Sequence, residues 1–127
     1  MKTLLTIYTL VFTLMFSSPS YSGWTRVTEN VDGVTFYVDL ERIRKVDGFV
    51  YFWYLADYLK LNKHGEFSET TYVQSDCKLF RYKKLSGYFH KKPMGRGSKV
   101  TGTTSSKWDY PPPKSSVEII LDEVCSR

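Results

Sequence analysis

The side chains able to do chemistry in this 127-residue chain are few: two histidines, His64 and His90, two cysteines, Cys77 and Cys125, and a cluster of cations. A secreted ribonuclease would need groups such as His and Glu converging on one phosphate to pass protons. His64 has Glu66 and Glu69 near it in sequence, but all three lie in or just after a turn, where such residues are ordinarily solvated. No catalytic residue is therefore assigned and the chain is not expected to be an enzyme. His64, His90 and Met94 show none of the short ligand spacings of a metal motif, so neither a metal nor a cofactor is expected. Met94-Gly-Arg-Gly97 lacks the longer span leading to Gly-Lys-Ser/Thr in a phosphate loop, and reads as a tight backbone turn.

The cations are unevenly placed. Between Cys77 and Trp108 stand nine Lys and Arg and no acid, whereas the rest of residues 23–127 holds eight basic and thirteen acidic side chains. Asymmetry of this kind attracts polyanions or acidic proteins. Phe80, Tyr82, Tyr88 and Phe89 are interleaved with the cations. Cations on phosphates and rings on bases would suit nucleic acid, but an exported protein rarely meets it. An acidic protein or a sulfated polysaccharide is the expected partner. The competing reading is a solvated edge, kept rich in lysine so that it does not recruit other strands.

Export is read from the first 22 residues. Lys2, a mainly apolar run over 4–16 and a small polar stretch broken by Pro19 have the layout of a cleaved signal peptide, with Ser20-x-Ser22 as the cleavage site. A membrane-spanning helix would need roughly 20 apolar residues. No cysteine lies near the cleavage site to carry a lipid, so no membrane anchor is expected in the mature chain. The remaining 105 residues, 23–127, form one domain of the periplasm, cell surface or extracellular space. In an oxidising compartment Cys77 and Cys125 read as a disulfide rather than as a metal pair or two free thiols. Closing a loop of about 49 residues would stabilise the fold by roughly 4 kcal/mol on chain-entropy grounds.

The elements that must carry these groups centre on residues 47–58, an Asp-Gly turn followed by a run of aromatic and branched side chains. In strand geometry Phe49, Tyr51, Trp53 and Leu55 share one face, and Val50, Phe52, Tyr54 and Ala56 the other. Both faces are apolar, which predicts a central strand covered on at least one side. Residues 24–27 and 34–39 read as strands, 40–43 as a single turn that reverses the chain, and 44–46 as a strand paired across Asp47-Gly48. A turn over 61–66 leads to a strand over 67–76. Residues 77–85 read as extended, with a break at Ser86-Gly87 and a short strand over 88–92 ending at Pro93. Residues 98–106 read as an edge strand or a loop. Ser115 and Glu118 form a capping box, and Val117, Ile120, Leu121 and Val124 recur at helical spacing with Cys125 on the same stripe. That stripe should face the sheet that carries Cys77. Asp57, near the end of the central strand, is read as a structural carboxylate facing a buried donor such as an Arg or a backbone amide.

Several pieces, taken in order, resemble the surface-adhesin protein E family of Gram-negative bacteria. They are Trp24 soon after the signal peptide, VTFYVDLERI over 34–43, Trp53-x-Leu55-x-Asp57-Tyr58, Ser75-Asp76-Cys77, Met94-Gly-Arg-Gly97, Trp108, the Pro-Pro-x-Ser entry to a helix, and Cys125. The resemblance implies an α+β fold: a single antiparallel meander of about six strands, an ordinary sheet size, with a C-terminal helix tied to it through Cys77 and Cys125. It also implies a homodimer, and adhesion to host matrix and serum proteins through the strand pair leading into and beyond the first cysteine. In this sequence that stretch is roughly residues 63–85, and its candidate partner-binding residues are Lys63, Lys78, Arg81, Lys83 and Lys84. The expectation is an exported binding module that engages a protein or acidic polysaccharide. The alternative is a periplasmic housekeeping or inhibitor-type protein with no adhesive role.

Overall fold

The computed structural model describes residues 23–102 and 104–127; the signal segment 1–22 lies outside the described residues. Strand β4 (Phe49–Asp57) is central, as its two apolar faces require. It pairs with β2 (Thr35–Asp39) and β3 (Arg44–Val46) along one side, and with β5 (Ser68–Asp76) along the other. Strand β1 (Trp24–Glu29) lies beyond β2, and β6 (Arg81–His90) followed by β7 (Lys99–Thr101) lies beyond β5. All pairings are antiparallel, which makes one seven-stranded antiparallel sheet. Helix α1 (Ser116–Cys125) packs on one face, chiefly against β1 and β4. The fold is α+β, as expected.

Local chemistry explains most of the boundaries. Asp47 and Gly48 both take positive φ (52° and 84°), the geometry of the tight turn that joins β3 to β4. Ser115 Oγ accepts a hydrogen bond from Glu118 N at 3.2 Å and starts the helix. The return half of the box is displaced by one residue, since Glu118 Oε1 accepts from Lys114 N. Ile120, Leu121 and Val124 are buried and form the core with Val38, Val50, Phe52, Tyr54 and Val73. Cys77 and Cys125 are joined in a disulfide with their Cα atoms 5.5 Å apart, so staple and stripe dock the helix together.

Two expectations about the chain's path are corrected. Residues 40–42 form a one-turn 3₁₀ helix, but it does not reverse the chain. Val38 pairs with Tyr54 and Arg44 with Tyr51, so β2 and β3 run in the same direction along β4, separated by a short step. The second correction concerns the stretch after Cys77. Residues 77–80 form the β5–β6 turn rather than extended chain, and Ser86-Gly87 does not interrupt β6. Instead Val73 pairs with Lys84 and Tyr72 with Ser86, leaving Leu85 as an extra residue in a β-bulge. Because side chains alternate with a period of two, the bulge moves Tyr88 onto the face occupied by Arg81 and Lys83. The chain after β7 then follows the β6 edge, with Ser105 N bonded to Lys84 O and Asp109 bonded in both directions to Tyr82.

Candidate functional site

The face of the sheet opposite the helix is where aromatic and cationic side chains meet. Strand β4 supplies Phe49, Tyr51 and Trp53, β5 supplies Tyr72, and β6 supplies Tyr88, all half-buried. The Tyr51 and Tyr72 ring centroids are 6.2 Å apart, Tyr72 and Trp53 5.0 Å, and Trp53 and Tyr88 6.3 Å. Trp108, carried by the segment along the β6 edge, stacks on Phe49 at 5.7 Å. The result is a ladder of rings across the open face, with edges and polar tips that a wet surface tolerates.

Cations flank the ladder. The Arg81 guanidinium lies 4.4 Å and Lys83 Nζ 4.5 Å from the Trp108 ring centroid, and Lys99 Nζ lies 4.2 Å above Tyr88. These are cation–π distances. Arg44, paired across the strands with Tyr51, joins Val46 and Tyr72 around a shallow depression of about 170 Å³. Arg81 also pairs with Asp76, its Nε 3.0 Å from Oδ2. Asp76 Oδ1 accepts from the amides of Lys78 and Leu79, which shapes the β5–β6 turn. Burial pushes the Asp76 carboxyl up, but the Leu79 amide, Arg81 and the Lys78 amide outweigh it and hold the group below the usual carboxylate range.

The other end of the same face is sealed. A tight turn over Pro93–Gly95, with Met94 and Gly95 both at positive φ (60° and 68°), folds over it. Asp57 Oδ1 accepts from Met94 N at 2.8 Å, the backbone-amide role expected of this carboxylate. Ser68 Oγ donates to Lys92 O and accepts from Gly95 N. Gly95 has φ 68°, and a Cβ there would lie 3.2 Å from Thr70 Cγ2 and 3.4 Å from Leu55 Cδ1. Glycine thus lets the turn press onto Leu55, which is fully buried. Met94-Gly-Arg-Gly97 is a plug.

The five residues expected to bind a partner do not share one surface. Arg81 and Lys83 lie together on the open face, beside Trp108. Lys78 is exposed in the β5–β6 turn. Lys63 is exposed beyond the opposite end of β5, a strand about 26 Å long at roughly 3.3 Å per residue. Lys84 lies on the helix side, with Glu69, Thr71, Gly87 and Phe89 around a cavity of about 120 Å³. Its ammonium is held above its ordinary value by Tyr54 first, against burial, with help from Glu69 and Tyr82. Burial pushes the Tyr54 hydroxyl up, and burial together with the Glu69 carboxylate, whose Oε2 accepts a hydrogen bond from the Tyr58 hydroxyl at 2.8 Å, does the same for Tyr58. Lys84 therefore sits inside a polar cluster rather than facing outward as a free cation. Phe80 and Tyr82, two of the interleaved rings, pack against the core.

Sequence reasoning missed Tyr72, Trp108, Lys99 and Arg44 as parts of one surface. The alternation in β4 already placed Phe49, Tyr51 and Trp53 together; the missing signal was the register that brings the others beside them. His90 is buried at the sealed end, with Nε2 2.7 Å from Thr70 Oγ1. Among the described residues no three His, Cys, Asp or Glu cluster so as to hold a metal, and no helix is long and apolar enough to cross a membrane.

Residues 24–126 match the family described as Surface-adhesin protein E. Among solved structures, the chain is similar to Haemophilus influenzae protein E, with a TM-score of 0.64 and 17% sequence identity over 86% of this chain and 90% of that one. A second crystal form of that protein gives a TM-score of 0.66 at 17% identity, covering 85% and 91% of the two chains. Protein E from non-typeable Haemophilus influenzae gives 0.61 at 17% identity, covering 87% and 79%. At such identities the likeness speaks to the fold. A comparison with curated protein sequences gives no match.

Proposed function

The chain belongs to the surface-adhesin protein E family, and from that membership we propose that it is an exported, non-enzymatic binding module that engages host matrix or serum proteins. Residues 1–22 are the leader removed on export, and 23–127 is the functional domain. The observation that carries the reading is the juxtaposition of Arg81 and Lys83 with Trp108 and Phe49 at the start of β6. Aromatic and arginine side chains are the types that dominate protein interfaces. Arg81 and Lys83, just past the first cysteine, fall within the stretch expected from the family resemblance, whereas Phe49 and Trp108 come to them from outside it.

The first test is location. Cell fractionation and surface proteolysis should find the protein outside the outer membrane or displayed on it; confinement to the periplasm would exclude a host adhesin and favour the housekeeping or inhibitor reading. The second is binding. Immobilised matrix proteins should retain the mature domain at low salt and release it as salt rises, because exposed charges are screened. Reversing two charges, Arg81→Glu with Lys83→Glu, should weaken that retention at least tenfold. Full retention by the variant would move the site elsewhere.

A further inference from the structure

Resting on that binding-module reading, we propose that the open face of the sheet is a platform for an anionic polysaccharide chain. Tyr51, Tyr72, Trp53 and Tyr88 supply the ring edges and hydroxyls along which it lies, and Arg44 and Lys99 are the charged ends.

The geometry is that of a strip crossing the strands rather than following one. Arg44 on β3 stands opposite Tyr51 on β4; Tyr51 and Trp53 touch Tyr72 on β5; Trp53 touches Tyr88 on β6; Lys99, from β7, sits above Tyr88. Four strand spacings separate β3 from β7, a path of about 19 Å. That length exceeds one sugar ring and suits an extended oligosaccharide. A cation stands at each end, and Lys83 reaches Trp108 alongside. Arg81, paired with Asp76 and lying against the Trp108 ring, holds Trp108 beside the strip.

The type of surface favours a glycan over a dry protein contact. The rings are half-buried, and three of the four are tyrosines whose hydroxyls need hydrogen-bond partners when covered. A hydroxylated chain offers donors and acceptors along its whole length, while its apolar C–H faces pack on the exposed ring edges. The depression beside Arg44, about 170 Å³, is smaller than the usual range for enclosed small-molecule sites, so a chain lying across the face fits better than a buried ligand. Arg44, Lys83 and Lys99, all beside this strip of rings, select for an anionic chain over a neutral one.

The test uses the mature domain with heparin, hyaluronan, neutral dextran and a single-stranded DNA oligonucleotide as probes, read by tryptophan fluorescence and by retention on immobilised heparin. Heparin or hyaluronan should quench fluorescence saturably, while dextran and DNA should bind at least tenfold more weakly. Trp53→Ala with Tyr88→Ala should weaken binding at least tenfold. Arg44→Glu with Lys99→Glu, both at exposed positions, provides a variant whose folding is not at stake; it should also weaken binding at least tenfold and flatten its salt dependence. Equal binding of DNA, or heparin binding untouched by both double variants, would overturn the inference. So would self-association that covers the face and excludes the probes. A matrix protein stripped of its glycans separates this inference from the broader reading: undiminished retention on it, insensitive to the ring variants, would sink the glycan platform and leave the protein-binding module standing.

Discussion

The two faces of the sheet are built from the same strand and meet opposite fates. Along β4, Val50, Phe52, Tyr54 and Ala56 point to the helix and are all buried, while Phe49, Tyr51 and Trp53 point away and stay half-exposed. Both sets are dominated by apolar and aromatic side chains. What differs is the cover: a helix stapled by a disulfide on one side, and on the other a short turn that seals only Leu55 and its neighbours. The residue types record the difference. The helix side adds aliphatic Val38, Val73, Ile120, Leu121 and Val124, which gain from being dry. The open side adds Tyr72, Tyr88 and Trp108, rings with a polar tip that remain stable when one edge is wet.

The difference between the faces rests most heavily on the disulfide that holds the helix. Cys77→Ser with Cys125→Ser should destabilise the domain by about 4 kcal/mol, the chain-entropy value for a loop of this length. Urea denaturation with and without reductant measures it; a loss below about 1 kcal/mol would mean that the helix holds by its stripe alone. The next largest effect is a contrast between adjacent residues. Phe52→Ala, on the helix side, should cost about 3–5 kcal/mol. Tyr51→Ala, one residue earlier and on the open side, should cost only about 1 kcal/mol, the scale of a lost aromatic pair. Equal costs would show that the open face is as tightly structured as the core.

Much of this layout could be read from the residues, and the failures have a common cause. The helix was legible because its cap and its stripe are local, spaced by the helix's own period: Ser115, Glu118, Ile120, Leu121 and Val124. The tight turn at Asp47-Gly48 was legible for the same reason. Asp57 was legible as a structural carboxylate because a charged residue closing an apolar strand must find a donor, although only the fold shows that the donor is Met94 N. What escaped was register. Nothing local marks Leu85 as the extra residue of a bulge, yet that single residue decides which side of β6 Tyr88 and Phe89 occupy. Lys84 was grouped with Lys83 by sequence adjacency, and the alternation of the strand sends the two to opposite faces. A charge count along the chain cannot see this.

The sealed end of the open face offers a smaller perturbation. Asp57→Ala removes the acceptor of the Met94 amide and should cost about 2 kcal/mol, the scale of a hydrogen bond to a charged group. Faster hydrogen exchange at Met94 and Gly95, with the Tyr51–Tyr72 end unchanged, would show that the plug opens independently of the ladder. Slowed exchange, or none lost, would mean that the Ser68 contacts hold the turn without Asp57.

The smallest effect separates the two ends of that face by pH. His90 is buried beneath the plug, its Nδ1 has no hydrogen-bond partner, and its pKa is lowered first by burial and then by the nearby Lys99 charge. The unfolded chain takes up a proton on this ring near pH 6.5, whereas the folded chain does not. The stability owed to neutral His90 is therefore complete above about pH 6.5 and declines as pH falls below it, until the folded-state pKa is reached. At the other end Asp76 has the depressed carboxyl, so its contribution persists to lower pH and is lost only as pH falls through and below the ordinary carboxylate range. The urea midpoint should then fall in two stages on acidification. His90→Gln should remove the first stage and leave the second, and Lys99→Ser should make the first shallower. A first stage unchanged in both variants would mean that the plugged end does not sense pH, and that the two ends of the face differ in packing alone.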